Sequence, residues 1–298
     1  MRVVVVGANG FIGVNLIKRL LKCQYDVIGI DQYDNHLQMF LDNSSFKLIK
    51  EQVSYDVLMN VLQPDDAVVC LAAKRLTPNF NLNDYVANIH LNCDIFQSCM
   101  DSNTKNVVFL SSISTYRADN ESCSEEIDTG SGNLYGESKY AMDHLINFLN
   151  KKKEMCIKSL RLAQVIGTGE RKGYLLNTLL DNAKEYKEQV IYGSGCGERQ
   201  YIYIKDVISA IICAIEAKNA KGIYNIGIKG RISISNLAKL INRRKREVFK
   251  NEAGIKYLLE KPEDKSILEM DVSKAEKELN FKPKYDLEAA IQDLKNYY

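Results

Sequence analysis

The 298-residue chain predicts an α/β fold, a doubly wound parallel sheet with a smaller mixed α/β cap. Three observations carry that prediction. Short, continuously apolar runs punctuate the first half of the chain. Amphipathic segments separate them. A glycine-rich turn joins the first run to the first amphipathic segment. Unbroken apolar character marks strands buried on both faces, as a parallel sheet covered by helices requires. Regular strand–helix alternation then winds such a sheet in both directions.

The elements follow in order. Val3–Val6, Val27–Ile30, Phe46–Ile49, Ala67–Leu71, Val107–Leu110 and Ile157–Leu160 read as buried strands. After Gly13, apolar residues recur at Leu16, Ile17, Leu20 and Leu21, one face of a helix. Asp84–Met100 and Leu134–Leu149 carry the same pattern. The second half is more mixed, with strands expected at Val190–Tyr192, Tyr201–Ile204 and Ile223–Ile226. Helices are expected at Leu175–Lys184, Val207–Ala217 and Ile234–Arg243, followed by a charged amphipathic tail over Asp271–Leu294. Only four prolines occur, and composition marks no linker.

Charge and composition exclude several function classes. A net charge of +2 advertises neither a nucleic-acid nor a membrane partner. The basic runs Lys151–Lys153 and Arg243–Arg246 lack interleaved aromatics and read as solvated helix ends or turns. No apolar stretch reaches the roughly 18 residues of a membrane span, and the valines after Arg2 are too few for a signal segment. The eight cysteines are scattered without a Cys-x-x-Cys pair, and only three histidines accompany them. No metal site is therefore expected, and free thiols point to a cytoplasmic protein.

Gly7-Ala8-Asn9-Gly10-Phe11-Ile12-Gly13 lies between the first strand and the first helix. Glycines there let the backbone approach a pyrophosphate, and the helix N-terminus offers free N–H groups and a positive dipole end. Asp31 closes the second strand 18 positions after Gly13. A carboxylate in that place accepts the hydroxyls of an adenosine ribose and repels a 2′-phosphate. Gln32 and Tyr33 follow it, with no arginine to hold such a phosphate, so NAD is favoured over NADP. The chain thus divides into an NAD-binding segment, 1–166, and a substrate-binding cap, 167–298, with interleaved parts.

Tyr135 and Lys139 stand four residues apart at the start of a predicted helix, on one face. An ammonium beside a phenol lowers its pKa and makes it a usable acid or base near neutrality. The same ammonium can hold a nicotinamide ribose. Alone, this spacing is an ordinary surface pair.

Joined to the glycine turn and to Ser111-Ser112 after a strand, the pair resembles the extended short-chain dehydrogenase/reductase family, with its Rossmann fold. Within that family the chain is similar to the nucleotide-sugar epimerases, dehydratases and reductases over essentially its whole length. The resemblance implies that Ser112, Tyr135 and Lys139 are catalytic. It implies a cofactor site formed by Gly7, Asn9, Gly10, Phe11, Ile12, Gly13, Asp31, Gln52, Val53, Leu71, Ala72, Ala73, Asn88, Tyr135 and Lys139. Cys70 stands where the family has His or Asn. Leu160–Gly167 resembles an Arg-x-x-Asn-x-x-Gly segment at the sugar site, with Gln164 replacing the asparagine. Gly193–Asp206 is similar to a long signature in the cap, whose arginine, here Arg199, meets the nucleotide diphosphate. Lys261-Pro262-Glu263-Asp264 replaces an Arg-Pro-Gly-Asp stretch, and Lys261 meets a phosphate as a point charge instead of a fork. Structural alternatives stand beside these roles: a capping hydroxyl for Ser112, a helix-face hydrogen bond for Asn88 and an ion pair for Arg199. Ser111 and Arg161 read as structural.

The expected substrate is a UDP- or dTDP-linked sugar, and a homodimer follows from the resemblance alone. Dehydration needs an acid for the departing hydroxyl, and the positions after Ser112 hold Ile113 and Ser114. Two reactions are left, epimerisation at the sugar C4 with recycled NAD and reduction of a 4-keto sugar. Asp31 favours the first, since a reductase draws more often on NADPH. A non-catalytic NAD-binding protein would have no use for Ser112, Tyr135 and Lys139.

Overall fold

Seven parallel strands form the main sheet in the computed structural model, which describes residues 1–117, 122–127, 130–170, 173–249 (244–249 as backbone alone) and 254–294. The chain opens with β1 (Arg2–Val6), α1 (Phe11–Lys22), β2 (Asp26–Ile30), β3 (Phe46–Ile49), α2 (Tyr55–Met59), β4 (Ala67–Cys70) and α3 (Leu82–Asp101). It continues with β5 (Asn106–Ser112), α4 (Leu134–Lys152), β6 (Cys156–Leu162), β7 (Gln164–Ile166), α5 (Leu175–Lys184), β8 (Gln189–Tyr192), β9 (Glu198–Arg199) and β10 (Tyr201–Tyr203). Then follow α6 (Ile204–Glu216), β11 (Gly222–Ile226), β12 (Ile232–Ser233), α7 (Ile234–Phe249), β13 (Ile255–Leu258), α8 (Ser273–Leu279) and α9 (Leu287–Leu294).

The strand order is β11-β6-β5-β4-β1-β2-β3. Val3 pairs with Val27 on one side and Ala67 on the other, so β1 lies inside the sheet. Its alternate side chains feed two cores. Val3 and Val5 pack with Leu16, Ile17 and Leu20 of α1 and with Ile211 of α6. Val4 and Val6 pack with Ile95 and Phe96 of α3 and Ile146 of α4. Each such fully buried aliphatic residue contributes roughly 1.5–3 kcal/mol of hydrophobic stabilisation. The order reverses between β1 and β4, which opens a crevice at their carboxyl ends.

Past residue 166 the chain serves both units. β11 returns to the main sheet beside β6, and α6 covers the face shared with α1. The parallel pair β8–β13 and the antiparallel pair β9–β12 lie outside that sheet. Two expectations change. The run Arg243–Arg246 falls within α7, whose backbone continues six residues past Arg243, because the amphipathic period persists. Arg243 pairs with Glu288 at 2.8 Å, while the side chains of Arg244, Lys245 and Arg246 lie outside the described residues. The tail is two helices: α8 stops at Asn280, in the left-handed region at φ 53°, and the backbone N–H groups of Lys284 and Tyr285 then dock on Asp206 at 2.9 and 3.0 Å. Lys151–Lys153 end α4 in solvent.

Candidate active site

The glycine turn begins where β1 ends. Gly7 holds φ +87°, and a Cβ there would lie 2.7 Å from the Ala72 nitrogen. Ala72 itself is bound to the Val6 carbonyl at 3.1 Å, so Gly7 lets the β1 and β4 ends meet. A Cβ on Gly13 would lie 2.5 Å from the Ala8 oxygen. Gly10 differs: it is exposed, and its nearest neighbour would be the Gly7 oxygen at 3.3 Å. Gly10 also caps α1 without a side-chain hydrogen bond, and the first turn, which contains Phe11 and Ile12, carries no acid. The positive end of α1 is left uncompensated beside open space.

Asp31, just after β2, is held by the Asn9 and Tyr33 backbone N–H groups, each at 3.0 Å, one on each oxygen. A carboxylate offers about four acceptor positions, so two stay open for ribose hydroxyls. The Asn9 side chain braces the rim, donating to Asn35 at 2.8 Å and accepting from the His36 N–H at 2.8 Å. Gln52 is exposed and Val53 half-buried beyond β3, while Leu71, Ala72 and Ala73 line the exit of β4. These residues fit a dinucleotide: a tight turn, an open helix end and an acceptor pair at the neighbouring strand.

Asn88 is buried on α3, and both ends of its amide hold Lys74. Its Oδ1 accepts from the Lys74 N–H at 2.7 Å and its Nδ2 donates to the Lys74 oxygen at 2.9 Å. It therefore braces the loop after Ala73.

Tyr135 lies in the first turn of α4, which Asn133 caps by accepting from the Gly136 N–H at 2.9 Å. The edge of the pair with Phe80 has ring centroids 6.1 Å apart. Burial raises the Tyr135 pKa; the Arg75 charge opposes the rise, and Tyr174 adds to it. Lys139 follows one turn later on the same helix. Its ammonium runs down to the sheet, donates to the Leu110 oxygen at 2.7 Å and lies 4.5 Å from the Phe109 ring centre. Burial depresses it to about 8, against the pull of Asp143 and Cys70. Ser112 ends β5 and accepts from the Ser114 N–H at 3.1 Å, capping a short 3-10 turn over Ile113–Thr115. Its hydroxyl proton is left to donate.

Behind these groups, α4 is anchored by Asp143. Its carboxylate accepts from Ser111 at 3.2 Å, Ser159 at 2.5 Å and the Arg161 Nε at 2.7 Å. Ser111 and Arg161 are thereby structural, buried on the back of the helix that presents Tyr135.

On the cap side, Gln164 in β7 is half-buried and bound through its N–H to the Gln200 oxygen at 3.1 Å. Arg199 donates to the Ser266 oxygen at 3.0 Å and pairs with Asp264. Lys261 is exposed on the neighbouring segment. Three residues that the sequence did not single out stand between the two sides. Arg75 acts by charge on both Tyr135 and Glu170, and Tyr174 acts on Tyr135. Glu170 is half-buried, accepts from the Asn177 amide at 3.2 Å and is pushed up to about 7 by burial. Its one available signal was its place directly after the Gly167-Thr168-Gly169 turn. The hydroxyls of Thr168 and Tyr201 are buried with no hydrogen-bond partner among the described residues. Among the described residues no cluster of His, Cys, Asp and Glu is arranged to hold a metal, and no helix is long and apolar enough to cross a membrane.

Residues 3–227 match the model of a family described as the NAD dependent epimerase/dehydratase family. The chain is 25% identical to a UDP-glucose 4-epimerase of Caenorhabditis elegans, over 100% of this chain and 97% of that one. It is 24% identical to a dTDP-4-dehydro-6-deoxyglucose reductase of Escherichia coli, over 98% and 96%. Its fold is similar to the crystal structure of a UDP-glucuronic acid 4-epimerase from Bacillus cereus in complex with NAD. That likeness has a TM-score of 0.84 and 26% identity and covers 100% of both chains.

Proposed function

Because the chain belongs to the NAD dependent epimerase/dehydratase family, we propose that it is an NAD-dependent 4-epimerase of UDP-linked sugars. The observation that carries this reading is that the turn after Ser112 packs against the start of α4, where a Cβ on Gly136 would meet the Ser114 oxygen, so that Ser112 and Tyr135 come to one end of the sheet with no acid at positions 113 and 114. NAD, when bound, supplies the hydride acceptor and donor. Gly7 to Gly13 cradle its pyrophosphate, Asp31 takes its adenosine ribose, and Gln52 and Val53 flank its adenine. Leu71 to Ala73 floor the site, Asn88 holds their loop in place, and Lys139 meets the nicotinamide ribose.

Tyr135 then exchanges a proton with the sugar 4-hydroxyl, and Ser112 donates a hydrogen bond to the same oxygen. As the base of the oxidation Tyr135 must start as the phenolate; it takes the 4-hydroxyl proton when C4 is oxidised and returns it when the ketone is reduced on the other face. Burial favours the phenol, and the Arg75 charge opposes that and favours the phenolate the cycle starts from. Arg199 and Lys261 hold the diphosphate while the sugar presents its other face. Gln164, Thr168, Glu170 and Tyr201 offer polar groups toward the sugar.

A second reading has a specific observation behind it, the likeness to the E. coli reductase across nearly the whole chain. It makes this protein an NAD(P)H-dependent reductase of 4-keto sugar nucleotides, with the same tyrosine as proton donor. One experiment separates the two. The NAD-loaded protein is incubated with UDP-glucose and with UDP-N-acetylglucosamine, with no reductant. Appearance of the 4-epimers supports the epimerase. Absence of both, together with NAD(P)H consumption on a dTDP-4-keto sugar, overturns it in favour of the reductase.

A further inference from the structure

β8 and β13 are parallel neighbours, with Tyr192 beside Leu258 at their common end. Two segments therefore leave the cap at the same edge. From β8 comes the loop Gly193-Ser194-Gly195-Cys196-Gly197, and from β13 comes the strap 259–266 that carries Lys261 and Asp264. Leu259, Lys261, Pro262, Asp264 and Lys265 are all exposed, so no core contact fixes the strap. It is fastened to the loop by polar bonds instead.

Glu263 makes most of them. One carboxylate oxygen accepts from the Cys196 N–H at 2.7 Å and from the Ser194 hydroxyl at 3.0 Å. The other accepts from the Ser194 N–H at 3.1 Å. Converging backbone N–H groups of this kind form an anion-binding concavity. Gly193 makes the approach possible, because a Cβ on it would lie 2.5 Å from the Glu263 Cβ. These bonds hold Glu263 ionised, its pKa lowered to about 2. Asp264, next in the chain, pairs with Arg199 and accepts from the Ser266 N–H at 3.0 Å. Ser266 in turn accepts from Glu198 and Arg199 at 3.0 Å each.

We propose that Glu263 is a positioning residue for the substrate's nucleotide diphosphate, a latch that locks the strap to the Gly193–Gly197 loop so that Lys261 and Arg199 face one ligand. The proposal rests on the reading that Arg199 and Lys261 meet that diphosphate. A flexible lysine locates a phosphate poorly by itself, and a fixed backbone beneath it restores the aim.

The test measures UDP binding to the full, NAD-loaded chain by calorimetry, with wild type, Glu263→Ala, Glu263→Asp and Arg199→Ala side by side. Releasing the strap makes UDP reorder it on binding, a cost that weakens affinity by about tenfold for Glu263→Ala. Glu263→Asp, which keeps the charge, recovers part of that loss. With turnover of the UDP sugar the same change falls on KM and leaves kcat within about twofold. Hydrogen exchange at the Ser194 and Cys196 amides is faster in Glu263→Ala than in wild type and slows in part in Glu263→Asp. Unchanged or tighter UDP binding in Glu263→Ala, with Arg199→Ala weakened, overturns the latch alone; tighter binding would mean that the carboxylate occupies the phosphate's own place. No loss in either variant overturns the diphosphate site and the latch with it.

Discussion

The cofactor end and the nucleotide end of the site are built from different materials. At the cofactor end the recognising surface is backbone: an open helix N-terminus at Gly10, and a turn packed so closely that Gly7 and Gly13 have no room for a Cβ. Asp31, the carboxylate beside that turn, is itself fixed by backbone N–H groups. At the nucleotide end the surface is made of side chains, Arg199, Asp264 and Glu263, whose bonds tie together two segments that share few backbone bonds. The first end is spoiled by adding atoms and the second by removing charge. Between them lies Tyr135, which neither end replaces.

The largest effect therefore belongs to the seam. Tyr135→Phe removes one oxygen and leaves both binding surfaces in place. Turnover falls by about 10²–10⁴-fold, the usual worth of a positioned acid–base group. NAD and UDP affinities, measured by calorimetry, stay near wild type. Near-normal turnover would assign the proton to another group, Glu170 being the nearest candidate with a suitable pKa of about 7.

Gly13→Val tests the backbone end. The added side chain meets the Ala8 and Gly7 oxygens, so stability drops by roughly 1–3 kcal/mol, as in other overpacked sites. A thermal melt reads that loss, and NAD titration of the variant reads the displaced turn. UDP binding in the same variant changes little, since no residue of the nucleotide end touches Gly13. Equal loss at both ends would mean that they fold as one unit and that the contrast between them is false.

Arg199→Lys tests the side-chain end more gently. Charge is kept and the planar fork is lost, together with simultaneous bonds to Asp264 and the Ser266 oxygen. UDP affinity is expected to weaken by about 5–10-fold, a loss of one charged hydrogen bond in part, with NAD affinity unchanged. A change in NAD affinity instead would place Arg199 at the wrong end.

The same division explains what the sequence could tell. Strands β1, β4 and β5 were legible because both faces are buried and the apolar runs are nearly unbroken; edge strand β3, with exposed Lys47, and β6, with Lys158 and Ser159, were marked less clearly. The glycine turn and Asp31 were legible because backbone recognition is local: its parts follow one another within 31 residues. Lys139 shows the limit. Four-residue spacing gave its helix face correctly, yet its ammonium is claimed by the Leu110 carbonyl, 29 positions away. Asn88 is likewise spent on Lys74. The latch joins residues 67 and 69 positions apart, and nothing in either segment names the other. Arg75 became visible only when the loop after β4 brought its charge near both the Tyr135 phenol and Glu170 of the turn after β7.

Lys139 supplies the effect most specific to the cofactor end, read in stability before any ligand is added. The fold buries an ammonium whose partners are a carbonyl and a ring face, with no carboxylate in contact among the described residues. Burial lowers its pKa from 10.5 to about 8. An unfolded chain binds this proton more tightly than the folded one, so stability rises with pH between those two values. Below about pH 8 the cost of the buried charge is fully present; above about 10.5 it is gone. Lys139→Met should therefore stabilise the ligand-free protein at pH 7 by roughly 1–2 kcal/mol, allowing for the lost hydrogen bond to Leu110. The gain should shrink as pH rises from 8 to 10.5, and urea melts at the two limits measure it. Catalysis is lost in the same variant, because the ammonium is absent when NAD arrives. A destabilised Lys139→Met, or a gain that does not vary with pH, would show that the ammonium is a structural tie and not a charge held in readiness at the fold's expense.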